Sequence, residues 1–425
     1  MVLAMSTLVP AAVLAPVNAS VAIAAPAPTT TTSSGGTGSS LCPNKQSPPA
    51  AEDDSENPSP DSAPPTPLPV PSDPVGGEQL GNCGFVLPAD ATAKAPPSDV
   101  NAASWVLADL DTGQVLAAKG PHARQRPAAL VKVLLAMVVL GELKPDTQVL
   151  ATAEDVQAAR SGATVGIVPG ARYTADQLVR AMLLKPGADV PNALARALGG
   201  VPKTVQKMDA LAKQMGALDT RVATPSGLDG PGMSTSAYDL ALIYRHAMQL
   251  PAFAEAQTAK TVLLGGVSVR NPDPLLTSYT GATAATTSNT TNAHWTNLSA
   301  ATRGGHRLVS VMLRAEVDQG QPYRQAGKLL DYGFSLKDAN VHPVGQLVDQ
   351  APPQPQPSES ATKTSAAGET ASREEAEGSG PMYAAFGNVG MPLTAVAGVF
   401  LLAALAMYLR KKRAKAARAA RTRMS

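Results

Sequence analysis

The chain has 425 residues, a formal charge of +2 and 38 prolines, many of them clustered, so one folded domain is expected rather than packed core throughout. Eight cations lie in the last 16 residues, and without them 27 basic residues stand against 33 acidic ones, which argues against a nucleic-acid partner. The two cysteines, Cys42 and Cys83, form no Cys-x-x-Cys, and no histidines pair at metal-ligand spacing, so neither a metal site nor a cofactor is expected.

Residues 1–25 are apolar, lack acids and end in the small-x-small pattern Ala22-Ile23-Ala24, as in a secretory signal peptide. The usual positive start is missing, since no Lys or Arg precedes Lys45. Residues 26–98 are rich in Pro, Ser, Thr and Asp and read as an extended extracytoplasmic linker. In an exported chain Cys42 and Cys83 are free to pair, closing a loop of about 40 residues worth roughly 3 to 4 kcal/mol by chain entropy.

The folded part is expected over 99–346. "SWVLADLDTGQVLAAK" reads as a β-hairpin around Asp111-Thr112-Gly113. "PAALVKVLLAMVVLGEL" reads as one long apolar helix with Pro127 in its first turn. Helices follow at "TADQLVRAMLLK", with Thr174 as N-cap, at "VPNALARALGG", at "TVQKMDALAKQMGA" from Thr204, and at "STSAYDLALIYRHAMQL", where Ser236 and Asp239 are spaced as a capping box. "HWTNLSAATRGGHRLVSVMLRAE" reads as two strands joined at Arg303-Gly304-Gly305, and "QAGKLLDYGFS" as a closing helix. A hairpin first, helices in the middle and antiparallel strands last make an α+β fold with one sheet built from both ends.

Residues 347–388 form a second polar linker. The stretch 389–409 is free of charge and long enough for a single transmembrane helix, and the basic tail 410–425 places that end in the cytoplasm and the folded part outside.

Lys132 stands among Leu130, Val131, Val133, Leu134, Leu135 and Met137. It reads either as a lysine snorkelling to the surface or as a buried base of lowered pKa for a nucleophile three residues earlier. That earlier position holds Ala129.

"WVLADLDTGQVLAAKGPHARQRPAALVKVLLA", "TRVATPSGLDGPGMSTSAYDLA" and "RGGHRLVSVML" resemble the serine-type D-alanyl-D-alanine carboxypeptidases of peptidase family S11. These are low-molecular-mass penicillin-binding proteins, and the resemblance is to their membrane-anchored actinobacterial type. The resemblance covers about Val75 to Gln346. It implies a β-lactamase-like fold, an antiparallel sheet with helices on both faces and an inserted helical region. It also implies hydrolysis of the terminal D-alanine of peptidoglycan stem peptides through Ser-x-x-Lys, Ser-Gly-Asn and Lys-Thr-Gly.

Each motif is altered. Carried over by position, the nucleophile is Ala129 with only Lys132 kept; Pro186-Gly187-Ala188 stands for Ser-Gly-Asn; Thr286-Thr287-Ser288 stands for Lys-Thr-Gly, in a stretch, "TAATTSNTTNAHW", without lysine. The resemblance thus implies a cell-wall pseudoenzyme that binds stem peptide or a protein of cell-wall synthesis or division. Main-chain N–H groups at Ala129 and near Ser288 are expected to remain as an oxyanion site. An alternative is an active carboxypeptidase using another serine, with Ser161, Ser226 and Ser299 as candidates. A third reading is a purely structural envelope protein.

Overall fold

The computed structural model describes residues 42–159 and 162–351. The expected signal peptide, transmembrane helix, cytoplasmic tail and most of the second linker lie outside them. No helix among the described residues is long and apolar enough to cross a membrane.

The central sheet has seven strands. A short β1 (Phe85–Val86) precedes the hairpin of β2 (Ala102–Asp109) and β3 (Gln114–Lys119). A 3₁₀ turn at Ala128–Val131 leads into α1 (Lys132–Glu142). The helical insertion contains β4 (Gln148–Leu150), α2 (Ala153–Gln157), β5 (Arg172–Thr174), α3 (Ala175–Leu184), α4 (Asp189–Ala197) and α5 (Val201–Met215). After α6 (Ala237–Met248) and α7 (Pro251–Thr258), a small hairpin pairs β6 (Thr261–Leu264) with β7 (Val267–Arg270). Then come α8 (Leu275–Ser278), β8 (Ala282–Thr290), β9 (His294–Arg303), β10 (His306–Ala315), α9 (Pro322–Asp338) and β11 (Gly345–Gln346).

Strand order is β1-β3-β2-β10-β9-β8, with β11 also on β3. The N-terminal hairpin and the C-terminal strands therefore meet at β2 and β10, where Val106 faces Val311 across an antiparallel ladder. Alternation along β2 divides the core. Trp105 and Leu107 pack with Leu329, Leu330 and Phe334 of α9, while Val106 and Ala108 face the cluster that holds α1, α3 and α6. The result is an α+β fold with an antiparallel sheet and helices on both faces.

Local signals explain most boundaries. Thr174 and Gln177 form a reciprocal capping box on α3. At α6, Ser236 Oγ accepts from the Asp239 N–H, but the Asp239 carboxylate turns away to the Asp219 N–H (2.8 Å) and the Thr220 hydroxyl (2.7 Å). Tertiary partners thus claim half of the expected box. The β9–β10 turn uses Gly304 (φ 57°) and Gly305 (φ 82°), the two positive-φ positions of a tight two-residue hairpin.

Residues 42–98 differ from the linker expected of their composition. Val75, Leu80 and Val86 enter the main core. Arg124, 1 % exposed, donates from Nη1 to the carbonyls of Gln46 (2.7 Å) and Leu68 (2.6 Å) and from Nη2 to that of Pro69 (2.8 Å), while Nε pairs with Asp219 (3.0 Å). Each proline lacks an N–H but keeps its carbonyl, so a buried guanidinium is a suitable anchor for a proline-rich segment. Arg126 pairs with Glu56, and Cys42 is bonded to Cys83 with Cα atoms 5.3 Å apart. The folded region also runs past 346: Leu347 is buried and Arg245 pairs with Asp349 at 2.6 Å.

Candidate active site

The expected single helix from Pro127 is broken at its start. Ala128 adopts φ 46°, a left-handed conformation costly for a residue with a Cβ, so the chain makes a 3₁₀ turn and α1 proper begins at Lys132. Gly227 supports this turn from the opposite loop. It has φ 84°, and a Cβ there would lie 1.9 Å from the Ala128 carbonyl oxygen. The side chain that follows this strained residue is the methyl group of Ala129, which offers no hydroxyl.

Ala129 and Lys132 both line a groove of about 500 Å³. Lys132 does not reach bulk solvent: it is 4 % exposed, and its Nζ donates to the Gly187 carbonyl at 2.5 Å. Burial pulls its pKa down to about 7, against the opposing charge of Asp189. The snorkelling reading of Lys132 is therefore replaced by the buried one.

Pro186-Gly187-Ala188 forms the opposite wall, in the link from α3 to α4. Ala188 N–H donates to the Ala163 carbonyl at 2.9 Å. Gly187 approaches Val165 so closely that a Cβ would lie 2.5 Å from its N atom. Asp189 holds this approach. It is wholly buried and accepts from the N–H groups of Val165 (2.8 Å), Gly166 (2.8 Å) and Ile167 (3.1 Å). The sequence reading overlooked Asp189; its one signal was a carboxylate in the first turn of an otherwise apolar helix.

On β8, Thr286, Thr287 and Ser288 stand opposite Leu298, Asn297 and Thr296 of β9. Thr287 donates to Asp273 Oδ2 at 2.6 Å and accepts from the Asn297 amide at 2.9 Å. Ser288 reaches across the groove, where its Oγ accepts from the Ala129 N–H at 3.4 Å. This alters the expectation of a vacant main-chain oxyanion site, because one of its two donors already has a partner within the chain.

The N-terminal segment adds a wall that composition did not suggest. Asp53 and Ser55 line the groove. Glu52 receives His294 Nε2 (2.6 Å) and Arg314 (2.8 Å), and its own N–H donates to Asn292 Oδ1 at 2.6 Å. Of the alternative nucleophiles, Ser226 lines the groove, Ser299 is buried between strands and donates to Asn297 Oδ1 (2.8 Å), and Ser161 lies outside the described residues.

The fold brings His122, Asp219 and Asp239 together from three distant segments, with ligand atoms within 4.8 Å of one another. His122 Nδ1 meets Asp219 Oδ2 at 2.9 Å and Nε2 meets the Val75 carbonyl at 3.0 Å. Burial would lower the His122 pKa, but the hydrogen bond and charge of Asp219 prevail and raise it; burial and Asp219 raise that of Asp239. With Arg124 also on Asp219, the cluster is a buried ion-pair network under the N-terminal segment.

Comparison with known proteins gives this geometry its lineage. The sequence model of the family described as D-alanyl-D-alanine carboxypeptidase matches residues 90–317. The chain is 43 % identical over 249 residues to D-alanyl-D-alanine carboxypeptidase DacB2 of Mycobacterium tuberculosis, covering 57 % of this chain and 85 % of that protein. It is 33 % identical to DacD of Salmonella typhimurium, covering 58 % of this chain and 66 % of that one. The crystal structure of the D-alanyl-D-alanine carboxypeptidase from M. tuberculosis superposes with TM-score 0.57 at 41 % identity, over 61 % of this chain and 99 % of that one. Penicillin binding protein 6B of Escherichia coli superposes with TM-score 0.52 at 30 % identity, over 57 % of this chain and 80 % of that one. The groove around Ala129 and Lys132 is thus set in a family scaffold, and the chain belongs to the D-alanyl-D-alanine carboxypeptidase family, peptidase S11.

Proposed function

We propose that this protein is a catalytically silent member of the family that binds peptide in the residual groove during cell-wall metabolism, as an exported, membrane-anchored protein. The observation that carries this reading is Ala129 at the strained turn before α1, three residues from a buried Lys132. A methyl group cannot attack a carbonyl, so no acyl-enzyme forms at this position. Lys132 is directed to the Gly187 carbonyl instead of to a hydroxyl. The wall that would need Ser and Asn has Pro186 and Ala188, and β8 has Thr286 where a lysine would meet a substrate carboxylate. Stem peptide, or a cell-wall synthesis or division protein presenting a peptide, is the partner class proposed.

The test is incubation of the full chain with a fluorescent penicillin. Absence of a covalent label supports the reading, and a labelled band overturns it. One observation favours a second reading: the Ser226 hydroxyl lines the same groove as Lys132, whose pKa is near 7. If label appears and mass spectrometry places it on Ser226, the protein is an active carboxypeptidase with a relocated nucleophile.

A further inference from the structure

The charge of the groove is the reverse of what a free peptide carboxylate requires. Two carboxylates line it, Asp53 from the N-terminal segment and Asp229 from the loop before α6. Asn292, 1 % exposed, binds both: its N–H donates to Asp229 Oδ2 at 3.1 Å and its side-chain amide to Asp53 Oδ1 at 2.9 Å. Asp229 also accepts from the Thr290 hydroxyl (2.7 Å), and Asp53 from the Ser55 N–H (3.0 Å) and hydroxyl (2.5 Å). Every one of these donors is neutral. The hydrogen bonds from Ser55 hold the Asp53 carboxyl below its usual range, so it is ionised at neutral pH.

Among the described residues that line the groove, Lys132 is the one cation. It sits at the floor against the Gly187 carbonyl and, with a pKa near 7, is only partly charged at neutral pH. The walls therefore carry net negative charge.

A second, independent feature points to a ligand. Ser226 is 6 % exposed and its Oγ accepts only from the Leu228 N–H, at 3.4 Å; Ser288 Oγ accepts from the Ala129 N–H. Neither hydroxyl donates to any group among the described residues. Both lie on the groove with a hydrogen left for an incoming carbonyl.

We infer that this groove takes an extended peptide bearing a primary ammonium group, which sits between Asp53 and Asp229 while peptide carbonyls accept from Ser226 and Ser288. A free C-terminal carboxylate, such as that of a stem peptide, finds no cationic partner on β8 and faces the same two acids, so the groove holds such a peptide by its ammonium group and not by its terminus. The inference rests on the binding role proposed above and names its ligand class.

The experiment measures fluorescence anisotropy of the full chain with three labelled pentapeptides of one sequence. The first carries a lysine and a C-terminal amide, the second an acetylated lysine and the amide, the third an acetylated lysine and a free C-terminal carboxylate. The expected result is that the first binds, and that acetylation weakens it about tenfold or more, the scale of a hydrogen-bonded charge contact. Binding of the first should also weaken between 50 and 500 mM salt, and in Asp53→Asn and Asp229→Asn. Acetylation changes only the ligand, so that comparison holds even if a protein variant misfolds. If the second or third peptide binds as well as the first, the ammonium inference is overturned and groove binding stands. If none binds, both fall.

Discussion

Lys132 Nζ lies 2.5 Å from the Gly187 carbonyl oxygen, joining the first residue of α1 to the middle of the Pro186-Gly187-Ala188 wall. The contact gives a buried ammonium one fixed acceptor and explains how the lysine persists without a nucleophile to serve.

That burial makes stability depend on pH. Unfolded, Lys132 keeps its proton to near pH 10.5; folded, only to about 7. Between these values the unfolded state binds more protons, so this residue's contribution to stability rises with pH and is least favourable below 7. Lys132→Met removes the dependence. Relative to the parent, the variant should be most stable below pH 7 and lose ground toward pH 10, at up to about 1.4 kcal/mol per unit. Urea melts at pH 6, 8 and 10 read this directly. A pH-independent difference would mean the lysine is not buried as described.

Restoring the serine alone should not restore acylation. In Ala129→Ser the residue 129 N–H still meets Ser288 Oγ, and the Ser, Asn and Lys partners remain absent. Fluorescent penicillin should label only a variant that also carries Pro186→Ser, Ala188→Asn, Thr286→Lys and Ser288→Gly. Label on the single variant would show that the residual groove suffices.

Arg124 anchors the proline-rich segment through three carbonyls, and Arg124→Ala leaves these and the Asp219 carboxylate without it. A loss of about 3 to 5 kcal/mol is expected for breaking such a buried charge network. Limited proteolysis should then cut first within 46–70. Unchanged protection of that segment would contradict the anchoring role.

Gly227→Ala combines a positive φ with a Cβ 1.9 Å from the Ala128 oxygen. It should cost ~3 kcal/mol or more in a thermal or urea melt. Gly266→Ala, at φ 84° on the β6–β7 hairpin with no atom within 4 Å, isolates the backbone part and should cost about 1 kcal/mol.

Periodicity and turn chemistry made the β2–β3 and β9–β10 hairpins and helices α3, α4, α6 and α9 legible, because those signals act within a few residues. They also placed Ala129 and Lys132 one turn apart. What they did not reveal joins distant positions. Asp189 binds the N–H groups of 165–167, Ser288 meets residue 129, Asn292 hydrogen-bonds both Asp53 and Asp229, and Arg124 collects carbonyls from 46 to 69. The 3₁₀ turn at Ala128 belongs with them, since Gly227, 99 positions along the numbering, closes against it.

The sequence by itself determined which chemistry is absent: no backbone arrangement supplies a hydroxyl at Ala129 or an ammonium on 286–288. The tertiary structure alone decided which groups share the groove and how each is charged. Burial sets the protonation of Lys132, and a proline-rich segment brings Asp53 to the groove that Asp229 also lines. Hydrogen bonding and desolvation depend on neighbours in space, whereas the composition of 42–98 shows only that it lacks an apolar core of its own.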